Sequence, residues 1–299
     1  MSNILMTGAN GLIGTRLQVK LLEKGHVIKT IGRATNGKTQ HGYTWDPPAG
    51  KMNENALKGV NAIIHLAGAG VADKRWSKAR KKEILESRVQ STRLLFDTLS
   101  HHLHQVTTIV SASASGYYGD SGDKWLKEDM PASDSFLGEV CRRWEEEVAM
   151  FEKIGIRHVC CRIGIVLSPQ GGALPELMKT FPMGVAGYLA KNPLYYPWVH
   201  IDDVCGIFTY AIENEKIRGS YNANAPDPLL IKDLIEAIVE AKKSNAVLMP
   251  VPPIALRLAM GEMADMLLGS QRCSSDKIRL AGYRFLFPEI KDALNDLFH

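Results

Sequence analysis

The stretch Met6-Thr7-Gly8-Ala9-Asn10-Gly11-Leu12-Ile13-Gly14 decides the fold of this chain. It follows the apolar run 4–6 and opens a pattern of leucines that continues to Leu22 with helical spacing. A strand, a glycine-rich turn and a helix N-terminus therefore follow one another directly. Because backbone N–H groups at a helix N-terminus bind phosphate without a charged side chain, the stretch predicts a dinucleotide-binding turn.

The glycine spacing is Gly-x-x-Gly-x-x-Gly, which differs from the more familiar Gly-x-Gly-x-x-Gly. In such turns one glycine permits the tight bend, one lets the backbone approach a pyrophosphate, and one lets helix and strand pack closely. The alternative is a purely structural turn, since glycine turns are common. The residues predicted to bind the dinucleotide here are Gly8, Asn10, Gly11, Leu12, Ile13 and Gly14.

Apolar runs and helical patterns alternate through the first two-thirds of the chain. The apolar runs are 4–6, 27–31, 62–67, 106–112 and 158–166, and the helical patterns lie at about 11–24, 74–100 and 136–153. Alternation of this kind predicts an α/β fold with a doubly wound parallel sheet, as in Rossmann-like proteins.

The regular alternation of apolar runs and helical patterns ends after about residue 168. Glycines and prolines there indicate longer loops around a helical pattern at 229–243. We expect a dinucleotide-binding domain over 1–168, with contributions from about 195–225. The remainder, 169–299, is expected to form a smaller C-terminal substrate lobe over the carboxyl ends of the strands, where ligands bind in such folds.

The composition argues against nucleic-acid-binding, membrane-spanning and secreted proteins. A hydrophobic content of 45% and a charged content of 23% are typical of a soluble globular protein. The net charge of +4 does not argue for nucleic acid, and no apolar run approaches the roughly 20 residues that span a bilayer. The first strand begins so early that a removable signal peptide is not expected. Five cysteines without metal-ligand spacing indicate reduced thiols, no metal and a cytoplasmic protein.

The second and third apolar runs end in residues that suit a cofactor. Arg33 lies 19 positions after Gly14 with no acid nearby, and an arginine there accommodates the 2′-phosphate of NADP(H), which we expect to be preferred over NAD(H). The alternative is an exposed arginine without a ligand. The sequence Leu66-Ala67-Gly68 lets the chain pass close to an adenine or ribose, unless it is a simple glycine turn.

Four segments carry a resemblance to a known family, namely 7–14, 111–119, 162–169 and 198–204. The chain resembles the extended short-chain dehydrogenase/reductase superfamily, in its nucleotide-sugar epimerase and dehydratase group. Segments 66–68, 75–76, 87–88, 136–145 and 171–173 are similar to an atypical epimerase-like subfamily that has its own C-terminal domain. The resemblance implies NAD(P) binding and a sugar-like or other small substrate. It also implies cofactor contacts at Arg88, Ser111, Arg162, Gly164, Ile165 and Val166.

The catalytic pattern of that superfamily is a Ser, a Tyr-x-x-x-Lys and a helper Asn. Ser113 matches the Ser, but Leu137, Cys141 and Arg88 stand where the Tyr, the Lys and the Asn are expected. Since a phenol is a poor base near neutral pH without such help, the departure puts ordinary hydride-transfer chemistry in question.

Two tyrosines follow Ser113 closely in the sequence. Tyr117 and Tyr118 stand in the expected loop after the strand, and either could replace the lost phenol as a catalytic acid. The alternative is that both rings are aromatic walls of a substrate pocket.

Two further segments offer substrate contacts. The stretch 74–82 carries six positive charges in nine residues; it is either a solvated helix face or a place where Arg75 and Trp76 hold an anionic substrate. Nucleic-acid binding is disfavoured because the rest of the chain is not basic. Trp198 and His200 precede a predicted helix, and His200 either contacts substrate or has a structural role.

Two hypotheses follow from the sequence. The first is an NADP-dependent oxidoreductase or epimerase that acts on a small polar substrate, with a nucleotide-sugar or another anionic molecule as candidates. The second is a catalytically degenerate NADP(H)-sensing protein. Both predict a small-molecule ligand, no nucleic acid and no membrane, and a homodimer is compatible with either.

Overall fold

The computed structural model describes residues 1–33 and 42–299. Its strands are β1 (Asn3–Thr7), β2 (Val27–Gly32), β3 (Tyr43–Asp46), β4 (Lys51–Met52), β5 (Ala62–His65), β6 (Thr108–Ala114), β7 (Trp125–Leu126), β8 (Arg157–Ile163), β9 (Ile165–Leu167), β10 (Val185–Leu189), β11 (Tyr195–Tyr196), β12 (Trp198–His200), β13 (Gly219–Ala223), β14 (Leu229–Leu230), β15 (Val247–Val251) and β16 (Arg272–Cys273). Its α-helices are α1 (Leu12–Glu23), α2 (Lys78–His101), α3 (Phe136–Ala149), α4 (Ala173–Leu177), α5 (Ile201–Glu213), α6 (Ile231–Ala241), α7 (Pro253–Met260), α8 (Ala264–Leu268), α9 (Asp276–Leu280) and α10 (Ile290–Phe298).

Eight strands form the main sheet in the order β13-β8-β6-β5-β1-β2-β3-β4. The pairs β1–β2, β1–β5, β5–β6 and β2–β3 are parallel, whereas β3–β4 is antiparallel. The chain runs outward from β1 on one side to β2 and on the other to β5, so the strand order reverses there. Ligands of doubly wound sheets bind in the crevice at such a reversal, beyond the carboxyl ends of the strands.

The chain divides into two compact units, each of which draws on segments before and after residue 168. The first comprises Met1–Ser113, Val140–Cys161 and Cys205–Ser220. Its core contains Leu5, Ile63 and Ile109 from three neighbouring strands, packed with Trp144 and Phe151. These strands are apolar on both sides, as burial by helices requires.

The second unit comprises Ala114–Glu139, Arg162–Val204 and Tyr221–His299. Four two-stranded sheets lie in it: β10–β15, β9–β12 and β7–β16 are parallel, and β11–β14 is antiparallel. Its core surrounds Trp198, with Leu234, Ile235 and Ile238 from the apolar face of α6.

The structure confirms the predicted fold class and corrects some element bounds. The strand expected over 158–166 is two strands, because the Gly164 N–H donates to Ala223 whereas the Ile165 N–H donates to Pro197, so the chain changes partners there. The helix expected from residue 74 begins at Lys78, where the Ser77 hydroxyl accepts a hydrogen bond from the N–H of Arg80. Among residues 1–33 and 42–299, no helix is long and apolar enough to cross a bilayer.

Candidate functional site

The glycine turn after β1 packs backbone against backbone. Gly8 has φ +67°, and a Cβ there would lie 2.7 Å from the carbonyl carbon and oxygen of Leu66. A Cβ on Gly14 would collide with the carbonyl oxygen of Gly8. The backbone of the turn therefore lies directly against the segment that follows β5. A larger residue at either position would displace the backbone.

The turn leads into a helix end without a side-chain cap. Gly11 is the N-cap residue of α1, its side chain offers no acceptor, and the first turn contains no acidic residue. The Gly11 N–H donates to Gly8 at 3.1 Å, and Thr15 is the first residue whose N–H donates to a helical carbonyl, at 2.9 Å. The N–H groups between them have no acceptor within the helix. They suit the pyrophosphate of a dinucleotide, which needs donors and no nearby carboxylate.

A hydrogen-bond chain fixes the base of this turn. The Thr7 hydroxyl accepts the N–H groups of Leu66 and Ala67, both at 3.1 Å. Its own proton therefore points to Nδ1 of His65, 2.8 Å away, which leaves the ring proton on Nε2, 3.0 Å from the Thr92 hydroxyl. The carboxyl ends of β1 and β5 are thus joined by side chains as well as by the sheet.

His65 is neutral in this chain. Burial, with the charge of Arg88 as a smaller cause, lowers the pKa of His65 from 6.5 to about 3. The rings of Trp45 and Trp144 meet it edge-on, with centroids 6.3 and 6.1 Å away. Sequence reasoning missed this residue because its partners are far along the chain.

Arg33 follows β2 and is exposed. The pKa of the nearby Glu83 carboxyl is lowered first by a hydrogen bond from Arg80 and then by the charges of Arg80, Lys74 and Arg33, whereas desolvation opposes the shift. Arg33 and Lys74 therefore lie within electrostatic reach of one carboxylate.

The basic stretch 74–82 is partly structural. Arg80 is buried and donates to the carbonyl of Gly70 and, at 3.3 Å, to the carboxylate of Asp73. The Trp76 indole N–H donates to a backbone carbonyl at 2.9 Å, so its ring is anchored, whereas Arg75 is exposed. Sequence reasoning took Arg80 as one of the surface charges; nothing in the pattern distinguished it.

Arg88 lies beside the segment that follows β5. Its Nη1 donates to the carbonyls of Ala69 and Ile84, at 3.1 and 2.8 Å, and its guanidinium carbon lies 5.0 Å from the ring centroid of Trp144. Burial is the main cause that lowers the pKa of Arg88, and the neighbouring Cys141 thiol opposes it. The residue in the position of the helper Asn thus lies near the residue in the position of the Lys.

Ser113 and Ser220 share one carboxylate. The Ser113 hydroxyl donates to Oε1 of Glu145 at 2.6 Å, and the Ser220 hydroxyl donates to Oε2 at 2.8 Å. Ser113 is 3% exposed. Ser111 is fully buried and donates to backbone carbonyls. Because the Ser113 proton is directed at Glu145, this geometry favours a positioning role for Ser113; Glu145 itself was missed, since it lies 32 residues away.

Tyr118 is the centre of a buried network in the second unit. Arg162 Nη1 donates to its hydroxyl at 2.8 Å, and the hydroxyl donates to Oδ1 of Asn222 at 2.8 Å. The Asn222 N–H donates to the Glu128 carboxylate at 2.9 Å. Burial raises the pKa of Tyr118 well above its usual range, so this phenol has the environment of a structural residue.

Tyr117 differs from its neighbour. Its ring packs against the guanidinium of Arg162, with 3.5 Å between the ring centroid and Cζ of the arginine. The same ring meets the ring of Tyr118 edge-on. It is half-buried, and its hydroxyl has no hydrogen-bond partner in the part of the chain that the structure describes. Of the three candidate catalytic hydroxyls, this one alone has its proton uncommitted among the described residues.

The positions of the family Tyr and Lys are filled by apolar contacts. Leu137 lies against Gly116, with its Cβ 3.2 Å from where a Cβ of that glycine would stand. Cys141 is 4% exposed, and its thiol is one of five buried cysteines without a disulfide bond. Residues 1–33 and 42–299 contain no cluster of His, Cys, Asp or Glu placed to hold a metal ion.

Trp198 and His200 are each 1% exposed. The Trp198 indole donates to the Asp227 carbonyl at 2.8 Å. His200 Nδ1 accepts the N–H of Asp202 at 3.1 Å at the start of α5, and its ring stacks on Phe287 at 4.0 Å. This burial argues for packing and capping roles. Ile165 and Val166, also predicted as cofactor contacts, pair with β12 in the second unit.

Comparison with known proteins supports these observations. The model of the NAD dependent epimerase/dehydratase family matches residues 4–223, and a domain of unknown function, DUF1731, matches residues 251–297. The epimerase family protein SSP1921 of Staphylococcus saprophyticus is 32% identical, with 100% of both chains covered. The epimerase family protein YfhF of Bacillus subtilis is 32% identical, with 99% of this chain and 97% of the relative covered.

A solved structure adds a cofactor to the comparison. The crystal structure of human epimerase family protein SDR39U1, isoform 2, with NADPH superimposes with a TM-score of 0.85 at 27% identity, covering 99% of this chain and 98% of that one. The resemblance inferred from the glycine turn and the four segments is thereby confirmed. The chain belongs to the NAD dependent epimerase/dehydratase family.

Proposed function

We propose that this protein binds NADP(H) at the turn between β1 and α1 and uses it in hydride transfer on a small polar substrate. The observation that supports the proposal is the closely packed glycine turn with Gly8 and Gly14. It leads into the N-terminus of α1, which has no side-chain cap and no acidic residue in its first turn. When bound, the cofactor supplies a carbon centre that accepts or donates a hydride. The NADPH in the human relative supports the choice of cofactor.

Three groups of residues would hold this cofactor. The N–H groups of the first turn of α1 would bind the pyrophosphate. The small residues Ala67 and Gly68 would leave room for a ribose. Arg33 would pair with the 2′-phosphate, and Lys74, which shares its electrostatic neighbourhood at Glu83, would add a second positive charge. These contacts make NADP(H) the preferred form over NAD(H).

The reaction requires a group that moves a proton at the substrate oxygen. We assign this role to the hydroxyl of Tyr117, because the Ser113 and Tyr118 hydroxyls donate to Glu145 and Asn222. Arg162 fixes the plane of the Tyr117 ring from one face. An alcohol or carbonyl compound with an anionic group, such as a nucleotide-sugar, is the substrate class we propose, with exposed Arg75 as a candidate contact.

A second candidate function is supported by a separate observation. Leu137 and Cys141 fill the positions of the family Tyr and Lys with packed, apolar side chains. A protein that retains the glycine turn but lacks the family Tyr and Lys could bind NADP(H) as a sensor without catalysing a reaction.

One experiment separates the two functions. The protein is saturated with NADPH and screened against carbonyl compounds, with loss of the reduced nicotinamide signal as the readout. It is also saturated with NADP+ and screened against nucleotide-sugars, with appearance of that signal as the readout. The enzyme hypothesis predicts turnover that falls at least tenfold in Tyr117→Phe while NADPH affinity stays unchanged; Tyr188→Phe is the matched control. NADPH binding with no turnover across the panel favours the sensor, and absence of NADPH binding contradicts both.

A further inference from the structure

We propose that Arg272 is an oxyanion-binding residue, which rests against the rings of Trp125 and Tyr195 and takes a phosphate or a carboxylate group. All three residues belong to the second unit. Neither the cofactor contacts nor the proton-transfer group proposed above includes any of them. The site is therefore independent of the proposed function and extends beyond it.

A pair of short strands positions Arg272. β7 and β16 are parallel, with Arg272 opposite Trp125 and Cys273 opposite Leu126. Because side chains alternate between the two faces of a strand, these two pairs lie on opposite faces. Leu126 and Cys273 are buried in one cluster with Tyr118. Arg272 and Trp125 therefore lie on the face of the pair that points away from the Tyr118 network.

Two aromatic rings contact the guanidinium of Arg272. Its Cζ lies 4.2 Å from the ring centroid of Trp125 and 4.8 Å from that of Tyr195. The backbone of Tyr195 is itself fixed, because its N–H donates to the Ser270 hydroxyl and its carbonyl accepts the N–H of Gln271, both at 2.9 Å. Contacts of this kind attract the cation and restrain the guanidinium plane.

The N–H groups of Arg272 are unpaired in the part of the chain that the structure describes. Nε is shielded from water and has no hydrogen-bond partner. Among the described residues, Nη1 and Nη2 have no acceptor either, and no carboxylate lies within ion-pair distance. Arg257 of the same unit, in contrast, pairs with Asp265 at 3.3 Å. Since buried polar groups are normally hydrogen-bonded, this guanidinium is suited to an acceptor that the chain itself does not supply.

The chemistry of the ligand follows from these contacts. The rings hold the guanidinium by its π surface and accept none of its protons, so the donors in its plane remain available. Because Nε is shielded, the ligand would bind at Nη1 and Nη2, and two oxygens on one phosphorus or carbon atom match such a pair of donors. Trp125 is 42% exposed, so the site adjoins solvent beside this ring.

Two sources could supply the oxyanion. One is a free anion that acts as an effector, and the other is an anionic group of the substrate. Inorganic phosphate and oxalate are the probes for the shared chemistry. UDP-glucose is the probe for a nucleotide-sugar, and its competition with phosphate distinguishes the two sources.

The experiment measures the affinity of phosphate and oxalate by calorimetry for the unaltered protein, Arg272→Gln and Arg272→Lys. Arg257→Gln is the matched control, because Arg257 is an exposed arginine of the same unit whose charge is paired. Unfolding temperatures show whether each variant is folded. Arg272→Lys provides the test should Arg272→Gln not fold, because lysine keeps the charge but lacks the paired donors of the guanidinium.

We expect Arg272→Gln to weaken the binding of phosphate or oxalate at least tenfold, with Arg272→Lys intermediate and Arg257→Gln unchanged. Either anion should also raise the unfolding temperature of the unaltered protein, and should raise that of Arg272→Gln less. Competition by UDP-glucose assigns the site to the substrate, whereas phosphate binding without competition assigns it to a separate anion.

Two results would overturn the proposal. One is a folded Arg272→Gln protein that binds both anions as the unaltered protein does, which would leave Arg272 with a packing role alone. The other is an unaltered protein that binds neither anion at millimolar concentrations. NADPH affinity should be the same in all variants, so failure of NADPH to bind would contradict the proposed function without affecting this test.

Discussion

The Ser113 hydroxyl donates a 2.6 Å hydrogen bond to Oε1 of Glu145, and so joins β6 to α3. The second oxygen of the same carboxylate accepts from Ser220 in β13. A strand residue that sequence comparison assigns to catalysis thus takes part in a contact that holds a helix on the sheet.

Replacement of Ser113 tests which role it has. We predict that Ser113→Ala lowers the free energy of unfolding by about 1–3 kcal/mol, because the charge-assisted hydrogen bond to Glu145 is lost. NADPH affinity should stay unchanged. Urea denaturation gives the first quantity and fluorescence titration the second, with exposed Ser100→Ala as the control. Unaltered stability together with loss of turnover would make Ser113 a catalytic residue instead.

The paired tyrosines should respond differently to the loss of a hydroxyl. Tyr118→Phe removes the acceptor of the hydrogen bond from Arg162 Nη1 and the donor to Oδ1 of Asn222, both of them buried, so we expect about 1–3 kcal/mol of destabilisation. Tyr117→Phe removes a hydroxyl without a partner among the described residues, and its stability should change by less than about 0.5 kcal/mol. Chemical denaturation of both variants checks the difference. Equal destabilisation would contradict the contrast between the two environments.

Burial of neutral His65 predicts a stability that falls in acid. The folded chain does not protonate His65 until about pH 3, whereas the unfolded chain does so near pH 6.5. Between these values the unfolded state binds more protons, so stability is lost as the pH decreases, by about 2 kcal/mol at pH 5 from this residue.

The variant His65→Gln isolates that contribution. Urea denaturation at pH 7 and pH 5 should show a smaller pH dependence in His65→Gln than in the unaltered protein, although the variant is less stable at both. His101→Asn, at an exposed helix end, is the control. An identical pH dependence in His65→Gln and the unaltered protein would show that His65 is not held neutral.

Two glycines with nearly the same positive φ distinguish the cost of backbone strain from the cost of a steric clash. Gly8 and Gly59 have φ of +67° and +69°, but only Gly8 has backbone atoms at 2.7 Å from an added Cβ. Gly59→Ala should cost about 1–2 kcal/mol for the left-handed conformation alone. Gly8→Ala should cost about 1–3 kcal/mol more and should abolish NADPH binding. Comparable losses in the two variants would indicate that the turn is not packed as described.

The sequence predicted the parts of this protein that depend on local spacing. The glycine turn, the strand before it and the helix after it are consecutive, so their pattern could be interpreted directly. The position of Arg33 after β2 followed from the same logic.

The networks could not be predicted, because they join residues that only the fold brings together. Tyr118 and Asn222 are 104 positions apart, and Thr7 and His65 are 58 apart. Arg80 and Arg75 look alike in the sequence, yet one is buried and the other is exposed. The sequence left His200 either as a substrate contact or as a structural residue, because its backbone hydrogen bond from Asp202 at the start of α5 is visible only in the fold.

The proposed function depends on NADP(H) binding at the turn after β1, with Arg33 on the 2′-phosphate. The most direct test is a fluorescence titration of the protein and of Arg33→Ala with NADPH and, separately, with NADH. We expect the unaltered protein to bind NADPH at least tenfold more tightly than NADH, and Arg33→Ala to lose this preference while it retains NADH binding. Failure of the unaltered protein to bind either nucleotide would contradict the proposed cofactor site.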